Sequence, residues 1–431
     1  MTRRWRNWTG DQIWVPHKTL SPASERELAR QVAEAADQGL NVHAIGSAHS
    51  FSDCAATDGV LVDTSRLNQI REIDRDSGRV TVDAGIKLAD LGPKLAAAGL
   101  ALENQGDIDR QSVAGAISTA THGTGAKFPN LAAQITGLSL ITADGQVRQL
   151  SADTDNEAFL AARVSFGSLG VISAATIQCV PLYTLHRVDY KDDLDSTLSR
   201  LDQHVDSSDH FEFFVFPYTR TALCRKTRRS SEEPDPTPMW RRRLEEEGVE
   251  NLAMSALART GKRIPALTPR LNRLITGLVS GAETEDRAYK VYATMRRVRF
   301  NEMEYALPRA AVAEAVDEVL ELVESHKLPI LFPLEVRFAA GDDAFLSTAH
   351  GRETGYIAVH QYRGMEFETF FRGVEAIMDS HGGRPHWGKR HYQNAATLAP
   401  KYPDWERFAK VRSRLDPDRV FTNEYARRVL G

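Results

Sequence analysis

Apolar residues at Leu28, Val32 and Ala36 fall on one helical face, and the sequence brackets that face with its own start and stop signals. Ser24 followed by Glu27 reads as a capping box, and Gly39 reads as the terminator. The apolar run Val42 to Ile45 then predicts a short strand that empties into a turn of small residues, Gly46-Ser47-Ala48-His49-Ser50. Further strands are expected at Val60 to Val62 and Arg79 to Val82. A helix through Leu88, Leu91 and Leu95 is expected to end before Gly99. The alternation continues to Gly167-Ser168-Leu169-Gly170-Val171-Ile172-Ser173 and a strand at Ala175 to Val180, so residues up to about 183 form one α/β unit.

Beyond that point the texture changes. Arg225 to Gly248 is densely charged and holds Pro234, Pro236 and Pro238, the composition of a mobile surface excursion. Its Arg-Arg-Arg-Leu-Glu-Glu-Glu run fits a solvated helix with no assigned function. Strands return at Phe300 to Tyr305, Ile330 to Phe338 and Tyr356 to Gln361, separated by helices over Val312 to Val323 and Phe367 to Met378. This order predicts an α+β second unit, an antiparallel sheet with helices on one side.

Composition narrows the function classes. The chain has 431 residues, too many for one ordinary core, and is 42% hydrophobic and 26% charged, as globular proteins are. A net charge of −4 without a basic stripe predicts no nucleic-acid partner. No apolar run reaches the length of a transmembrane segment, and the basic start lacks the apolar core of a signal peptide. Cys54, Cys179 and Cys224 are odd in number and far apart, which fits buried thiols and a cytoplasmic location.

Four stretches carry candidate chemistry. The turn Gly46 to Ser50 can offer consecutive backbone N–H groups to phosphate oxygens, although an ordinary tight turn has the same composition. Ser112 to Gly125 is uncharged and rich in Gly, Ser and Thr, which would let a flat cofactor lie against the backbone. A Rossmann fingerprint is excluded because Phe128 stands where the pattern from Gly123 requires glycine. Glu335 and Arg337 stand two apart in an apolar strand and so share a face, either as a structural ion pair or as site residues. His360 is a polar residue in another apolar strand. Finally, His386-Trp387-Gly388-Lys389-Arg390-His391 places two histidines and two cations around a tryptophan. No neighbouring carboxylate completes a metal set, so no metal is expected.

Together these residues resemble the vanillyl-alcohol-oxidase flavoprotein superfamily, and within it the aldonolactone oxidoreductases, most of all the actinobacterial L-gulono-1,4-lactone dehydrogenases. The resemblance runs from Asn7-Trp8 through Gly46 to Ser50, Ser112 to Gly125, Gly167 to Ser173 and Asn301-Glu302-Met303-Glu304-Tyr305-Ala306 to Asp416-Pro-Asp-Arg-Val-Phe421. His386 to Lys389 is its most specific piece. It implies a two-domain α+β fold with an FAD-binding domain at 1–183, a cap domain at 184–410 and a C-terminal segment, 411–431, returning to the first domain.

The resemblance also implies FAD attached covalently through His49, with its pyrophosphate on the turn Gly46, Ser47, Ala48, His49 and Ser50. Gly106, Asp107, Ser112, Gly115, Thr119, Ala120, Thr121 and His122 would line the rest of the flavin, and Val171 its adenine end. Glu335, Arg337, His360 and Lys389 match the catalytic and substrate-binding set, with Asp107 beside the substrate where relatives commonly carry serine. The implied reaction is oxidation of an aldonolactone at its C2 hydroxyl, hydride going to flavin N5, to an ascorbate-like product. An alditol oxidase using oxygen is the alternative, and a flavin- or sugar-binding protein without turnover is a remote one. Lys389, with its pKa pushed down by neighbouring cations, and His360 compete for the role of base. Gly106 would leave the flavin edge open to oxygen, while the dehydrogenase likeness points to slow oxidase activity at most, and the expected electron acceptor is oxygen or a redox protein.

Overall fold

The computed structural model describes residues 4–232, 234, 258–279, 281–293 and 298–431. Its first helix, Glu25–Asp37, starts where the capping signal lies: Ser24 accepts the Glu27 N–H at 3.2 Å, and the Glu27 carboxylate reaches back to the Ala23 N–H at 2.8 Å. Leu28 and Val32 are buried beneath it against Val42, Val60 and Val62. Those valines belong to a three-stranded parallel sheet in the order Lys18–Leu20, Val60–Asp63, Val42–Ile45. Beside it stands a five-stranded antiparallel sheet in the order Val147–Leu150, Ile135–Ile141, Val171–Gln178, Arg79–Asp83, Ile70–Asp74.

The largest element is an eight-stranded antiparallel sheet. Its order is Ala282–Arg287, Thr184–Asp193, Thr221–Ser230, His210–Val215, Leu334–Ala339, Thr354–Tyr362, Phe300–Pro308, Arg384–Pro385. Residue alternation divides its two faces. Met303, Tyr305, Val336, Phe338, Ile357 and Val359 point to one side and bury the apolar stripes of helices Val312–Ser325 and Glu368–Ser380. Each fully buried Val or Leu there stabilises the packing by about 1.5–3 kcal/mol. The intervening positions, Glu302, Glu304, Glu335, Arg337, Tyr356 and His360, therefore all point to the other face, toward the first unit.

Two expectations change. The charged excursion does not begin at Arg225, because Thr221–Ser230 is a ten-residue strand in the middle of the large sheet. Arg225 is there paired with Asp189 and Glu212, so its charge serves the sheet face rather than solvent. The rest of that expectation, Pro236, Pro238 and the Arg-Arg-Arg-Leu-Glu-Glu-Glu run included, lies outside the described residues. The core of the first unit also takes in much later chain: Ala344–Leu346, Trp387, Leu398, Tyr402, Phe408, Tyr425 and Val429 pack with residues between Cys54 and Cys179. No helix among the described residues is long and apolar enough to cross a membrane. Cys54, Cys179 and Cys224 are free and buried.

Candidate active site

The strand Val42–Ile45 delivers the turn Gly46 to Ser50 into an open cleft. Its opposite walls are Gln111 to Thr119 and Phe166 to Ile172. Gly46 is required by contact: a Cβ there would lie 2.0 Å from Ser112 Oγ. Ser112 is also the N-cap of helix Val113–Ser118 and accepts the Gly115 N–H at 3.2 Å. Ala48 adopts φ +54°, a left-handed conformation rare for a residue with a Cβ, which turns the chain sharply ahead of His49. The turn is braced from the N-terminus. The Trp8 N–H donates to Ala48 O at 2.8 Å, Asn7 Nδ2 donates to Ser50 O at 3.1 Å, and the Trp8 ring stacks on His49 at 5.8 Å.

His49 is held neutral. Burial pushes its pKa from 6.5 to about 4, and the cations Lys389, Arg110 and Lys87 add to the effect. An unprotonated ring nitrogen in a cleft shaped for a large cofactor is what a covalent link to carbon requires.

The segment carrying Lys389 is fastened to this turn. Phe51 N–H donates to Gly388 O at 2.7 Å, and Ser52 Oγ donates to Trp387 O at 2.9 Å. Trp387 is fully buried, gives its indole N–H to Leu346 O at 2.7 Å and stacks on Tyr402. It thus acts as an anchor that sets where Lys389 emerges.

Across the cleft, the polar face of the large sheet gathers an unusual density of charge. All three nitrogens of the Arg337 guanidinium are engaged: Nε with Glu212 at 3.0 Å, Nη1 with Asp107 at 3.2 Å, and Nη2 with Glu335. Burial opposes its charge, but Asp107, Glu335 and Glu212 together hold its pKa well above the usual value. Lys389 Nζ pairs with Glu302 and lies 3.8 Å from Glu304. His360 donates from Nδ1 to Pro333 O at 3.1 Å and turns Nε2 toward Glu302 at 3.5 Å and Glu335 at 3.9 Å.

Lys389 corrects the sequence reading. Burial does work to lower its pKa, yet Glu302 and Glu304 outweigh it and raise the pKa above the ordinary 10.5. Lys389 is therefore an ammonium ion, a donor and a charge, and not a base at neutral pH. The cations that were expected to depress it are farther from consequence than the two carboxylates, which arrive from a strand some 85 residues earlier.

The structure brings Asp107, Glu335, Arg337, His360 and Lys389 together, and gathers Gly46 to Ser50 with Ser112, Gly115 and Thr119 around the cleft. Gly106, Ala120, Thr121 and His122 lie at the seam between cleft and sheet: a Cβ on Gly106 would meet His122 O at 2.9 Å, Ala120 takes φ +57°, and Thr121 accepts from Gln111 at 3.1 Å. Val171 is not brought in by its side chain, which is buried with Leu28 and Val32; alternation leaves its neighbours Gly170 and Ile172 on the cleft wall.

Glu212, Glu302 and Glu304 were missed. For the last two the signal was present, since Glu302-Met303-Glu304 repeats the charge–apolar–charge alternation of Glu335-Val336-Arg337. His122 Nε2 meets Glu304 at 3.2 Å, and His386 joins them, one donor atom of each lying within 4.8 Å of the others. A carboxylate does therefore stand beside His386, supplied by another strand. His386 Nδ1 already takes the Gly388 N–H at 3.1 Å, and burial lowers its pKa to about 3.

A family model described as "FAD binding domain" matches residues 16–151, and one described as "D-arabinono-1,4-lactone oxidase" matches residues 175–429. The fold also superposes on solved cholesterol oxidases, including that of B. sterolicum, with a TM-score of 0.82 over 100% of this chain and 97% of that one, at 16% identity. Fold and cleft define an FAD-binding oxidoreductase of the vanillyl-alcohol-oxidase type. The chain belongs to the D-arabinono-1,4-lactone oxidase family. It is 57% identical over 431 residues to the L-gulono-1,4-lactone dehydrogenase of Mycobacterium tuberculosis (strain H37Rv), covering all of both chains. It is 32% identical over 434 residues to the L-gulonolactone oxidase of Mus musculus, covering 99% of this chain and 98% of that one. Alditol oxidase of a Streptomyces species is 29% identical, with 98% of each chain covered.

Proposed function

We propose that this protein oxidises the C2 hydroxyl of a neutral aldonolactone of the L-gulono-1,4-lactone type, with FAD bound in the cleft and linked through His49. The observation that carries the reading is the polar sheet face: Arg337 and Lys389 are each bracketed by carboxylates, and Lys389 is near enough to a neutral, half-buried His49 for its charge to lower the imidazole pKa. Relatives named for lactone oxidation cover the whole chain and support the substrate class. The cleft fits FAD, because the turn Gly46 to Ser50 and the small residues Ser112, Gly115, Gly167 and Gly170 line it with backbone and hydroxyl groups and little side-chain bulk.

FAD supplies the two-electron acceptor for the hydride leaving C2. The chain's own residues do the rest. Glu335, Glu302 and Asp107 accept hydrogen bonds from sugar hydroxyls, for which ionised carboxylates are well suited. Lys389 and Arg337 hold positive charge where the substrate oxygen becomes anionic and so stabilise the negative charge that develops there. His360 Nε2 takes the hydroxyl proton. Its Nδ1 proton is fixed on Pro333 O, and the arriving proton lies against Glu302 and Glu335.

In this reading Gly106, Asp107, Ala120, Thr121 and His122 face the flavin ring system and Val171 contributes through its backbone. The FAD-binding domain spans 1–183 and the cap 184–410, with 411–431 returning to the first domain; Val411, Leu415, Tyr425 and Val429 in the first core support that return, while Trp387, Leu398, Tyr402 and Phe408 packed beside them argue for its starting ahead of 411. Three reduced, buried thiols support a cytoplasmic setting. The electron acceptor is a redox partner, with oxygen a slow alternative. Anaerobic mixing with a panel of lactones and alditols, followed by absorbance of the bound flavin, tests the function. Rapid bleaching by γ-lactones is expected, and bleaching by alditols alone overturns the lactone assignment.

A further inference from the structure

The surface helix Thr268–Leu278 divides its aliphatic residues between two faces. It buries Ile275 with Thr268, Asn272 and Thr276, packs Leu271 inward, and Asn272 Nδ2 is satisfied by the carbonyls of Pro217 and Ile330 at 3.1 and 2.9 Å. Its remaining leucines face outward: Leu274 is 52% exposed and Leu278 72%, one turn apart, with Ile264 at 51% and Val279 at 38% beside them. Four of the eight exposed large apolar side chains among the described residues thus lie between Ile264 and Val279. Apolar groups clustered this way on a soluble surface mark an interaction site.

The charge of the same segment is equally one-sided. From Ala258 to Ala282 the sequence holds Arg259, Lys262, Arg263, Arg270 and Arg273 and no carboxylate, in a chain whose net charge is −4. All five cations are exposed; among the described residues Lys262 donates to the carbonyl of Arg363 and Arg273 to that of Tyr218. The nearest acidic strand begins at Glu283, which is paired with His186. Protruding single aliphatics set among cations, rather than a concave groove, suit a fluid anionic surface better than a shaped protein partner.

We propose that the face formed by Ile264, Leu274, Leu278 and the surrounding arginines docks on an anionic lipid bilayer, with the aliphatics entering the interface and the cations meeting headgroup phosphates. The position has a consequence for electron exit. Leu271, on the inner side of this helix, packs in one cluster with Trp8, Phe51, Phe300 and Phe332. Trp8 stacks on His49, so docking would set the attachment edge of the cofactor cleft close to the lipid phase, where a lipid-soluble electron acceptor would be found.

Vesicle flotation of the holoprotein tests this. Phosphatidylcholine vesicles containing about 30 mol% phosphatidylglycerol are expected to carry the protein at low salt, and pure phosphatidylcholine is expected to carry much less. Each removed cation should weaken binding by about fivefold, so Arg270→Glu with Arg273→Glu should lower it by more than about tenfold. Leu274→Ser with Leu278→Ser should also abolish flotation. Both pairs should leave lactone-driven flavin reduction unchanged, which shows that they fold. Failure of the native protein to float, or flotation unaffected by both pairs, overturns the proposal. So does a concentration-dependent dimer that Leu274→Ser/Leu278→Ser dissolves, which would make a second copy of the chain the occupant. Loss of flotation only in competition with an acidic protein that binds without lipid would overturn it in favour of that partner.

Discussion

Asp107 accepts a hydrogen bond from Nη1 of Arg337 at 3.2 Å, linking the cleft to the polar sheet face across 230 residues of chain. With Glu212 and Glu335 on the other two nitrogens, three carboxylates already surround the guanidinium and would repel a substrate carboxylate. Lys389 is bracketed in the same way by Glu302 and Glu304. The site therefore favours a neutral lactone over the aldonate formed when that lactone hydrolyses. Asp107→Asn should let an aldonate bind at least about tenfold more tightly, the worth of a close charge removed from a partly buried site. Titration of the flavin spectrum with an aldonate reads this directly. Equal aldonate affinity in native and variant protein would show that Asp107 does not set the charge preference.

The neutral state of His49 leads to a prediction about attachment. Acid precipitation should leave the yellow chromophore on the native protein and release it from His49→Ala. Complete extraction from native protein would refute the covalent link. Loss of colour alone decides nothing, since the rest of the cleft lining remains in the variant and can hold FAD without the bond.

Removing the cation or the neighbouring carboxylate should separate chemistry from folding. Lys389→Met and Glu335→Gln are each expected to slow flavin reduction by at least roughly a hundredfold, typical of a lost electrostatic or positioning group. Glu302→Gln is expected to lower the pKa of Lys389, because Glu302 is the largest influence raising it. An alkaline limb absent from the native rate profile should then appear. Native rates in both of the first two variants would place the active site elsewhere.

Histidines that are buried (His43, His386) or half-buried (His49) make stability depend on acid. His43 and His49 fall from 6.5 to about 4 and His386 to about 3, in each case chiefly through burial. These groups are neutral in both states above pH 6.5. Below it the unfolded chain takes up protons that the native chain refuses, so stability falls as pH drops from 6.5 toward 4. Each histidine contributes a slope approaching ~1.4 kcal/mol per pH unit in that window. Urea unfolding at successively lower pH should show the loss, and His43→Gln should flatten it. A stability that stays constant from neutral pH down to pH ~5 would contradict the buried neutral state.

Gly106 bears on oxygen in a different way from that expected of an open gate. A Cβ there meets His122 O at 2.9 Å, so Gly106→Ala must displace the loop that carries His122 toward Glu304. Flavin reduction by substrate is expected to slow together with any change in reoxidation, both measured by stopped-flow absorbance. A change in the oxygen rate alone would restore the simple gate.

Local signals in the sequence were sufficient for the first helix, the turn and the apolar strands, though not for the charged strand Thr221–Ser230. Capping at Ser24, the small residues at Gly46 to Ser50 and the alternation in Glu335-Val336-Arg337 act over a few residues, and short-range sterics and periodicity decide them. The ionisation of the site was not legible there. Lys389 looks like one cation among several in His386 to His391, and only the pairing of strand Phe300–Pro308 with its neighbours sets Glu302 and Glu304 against it. Glu212 likewise reaches Arg337 only through the strand order of the large sheet. Charge interactions depend on distance and burial rather than on separation along the chain, so which groups are acids, bases or fixed ions here was decided by the tertiary structure.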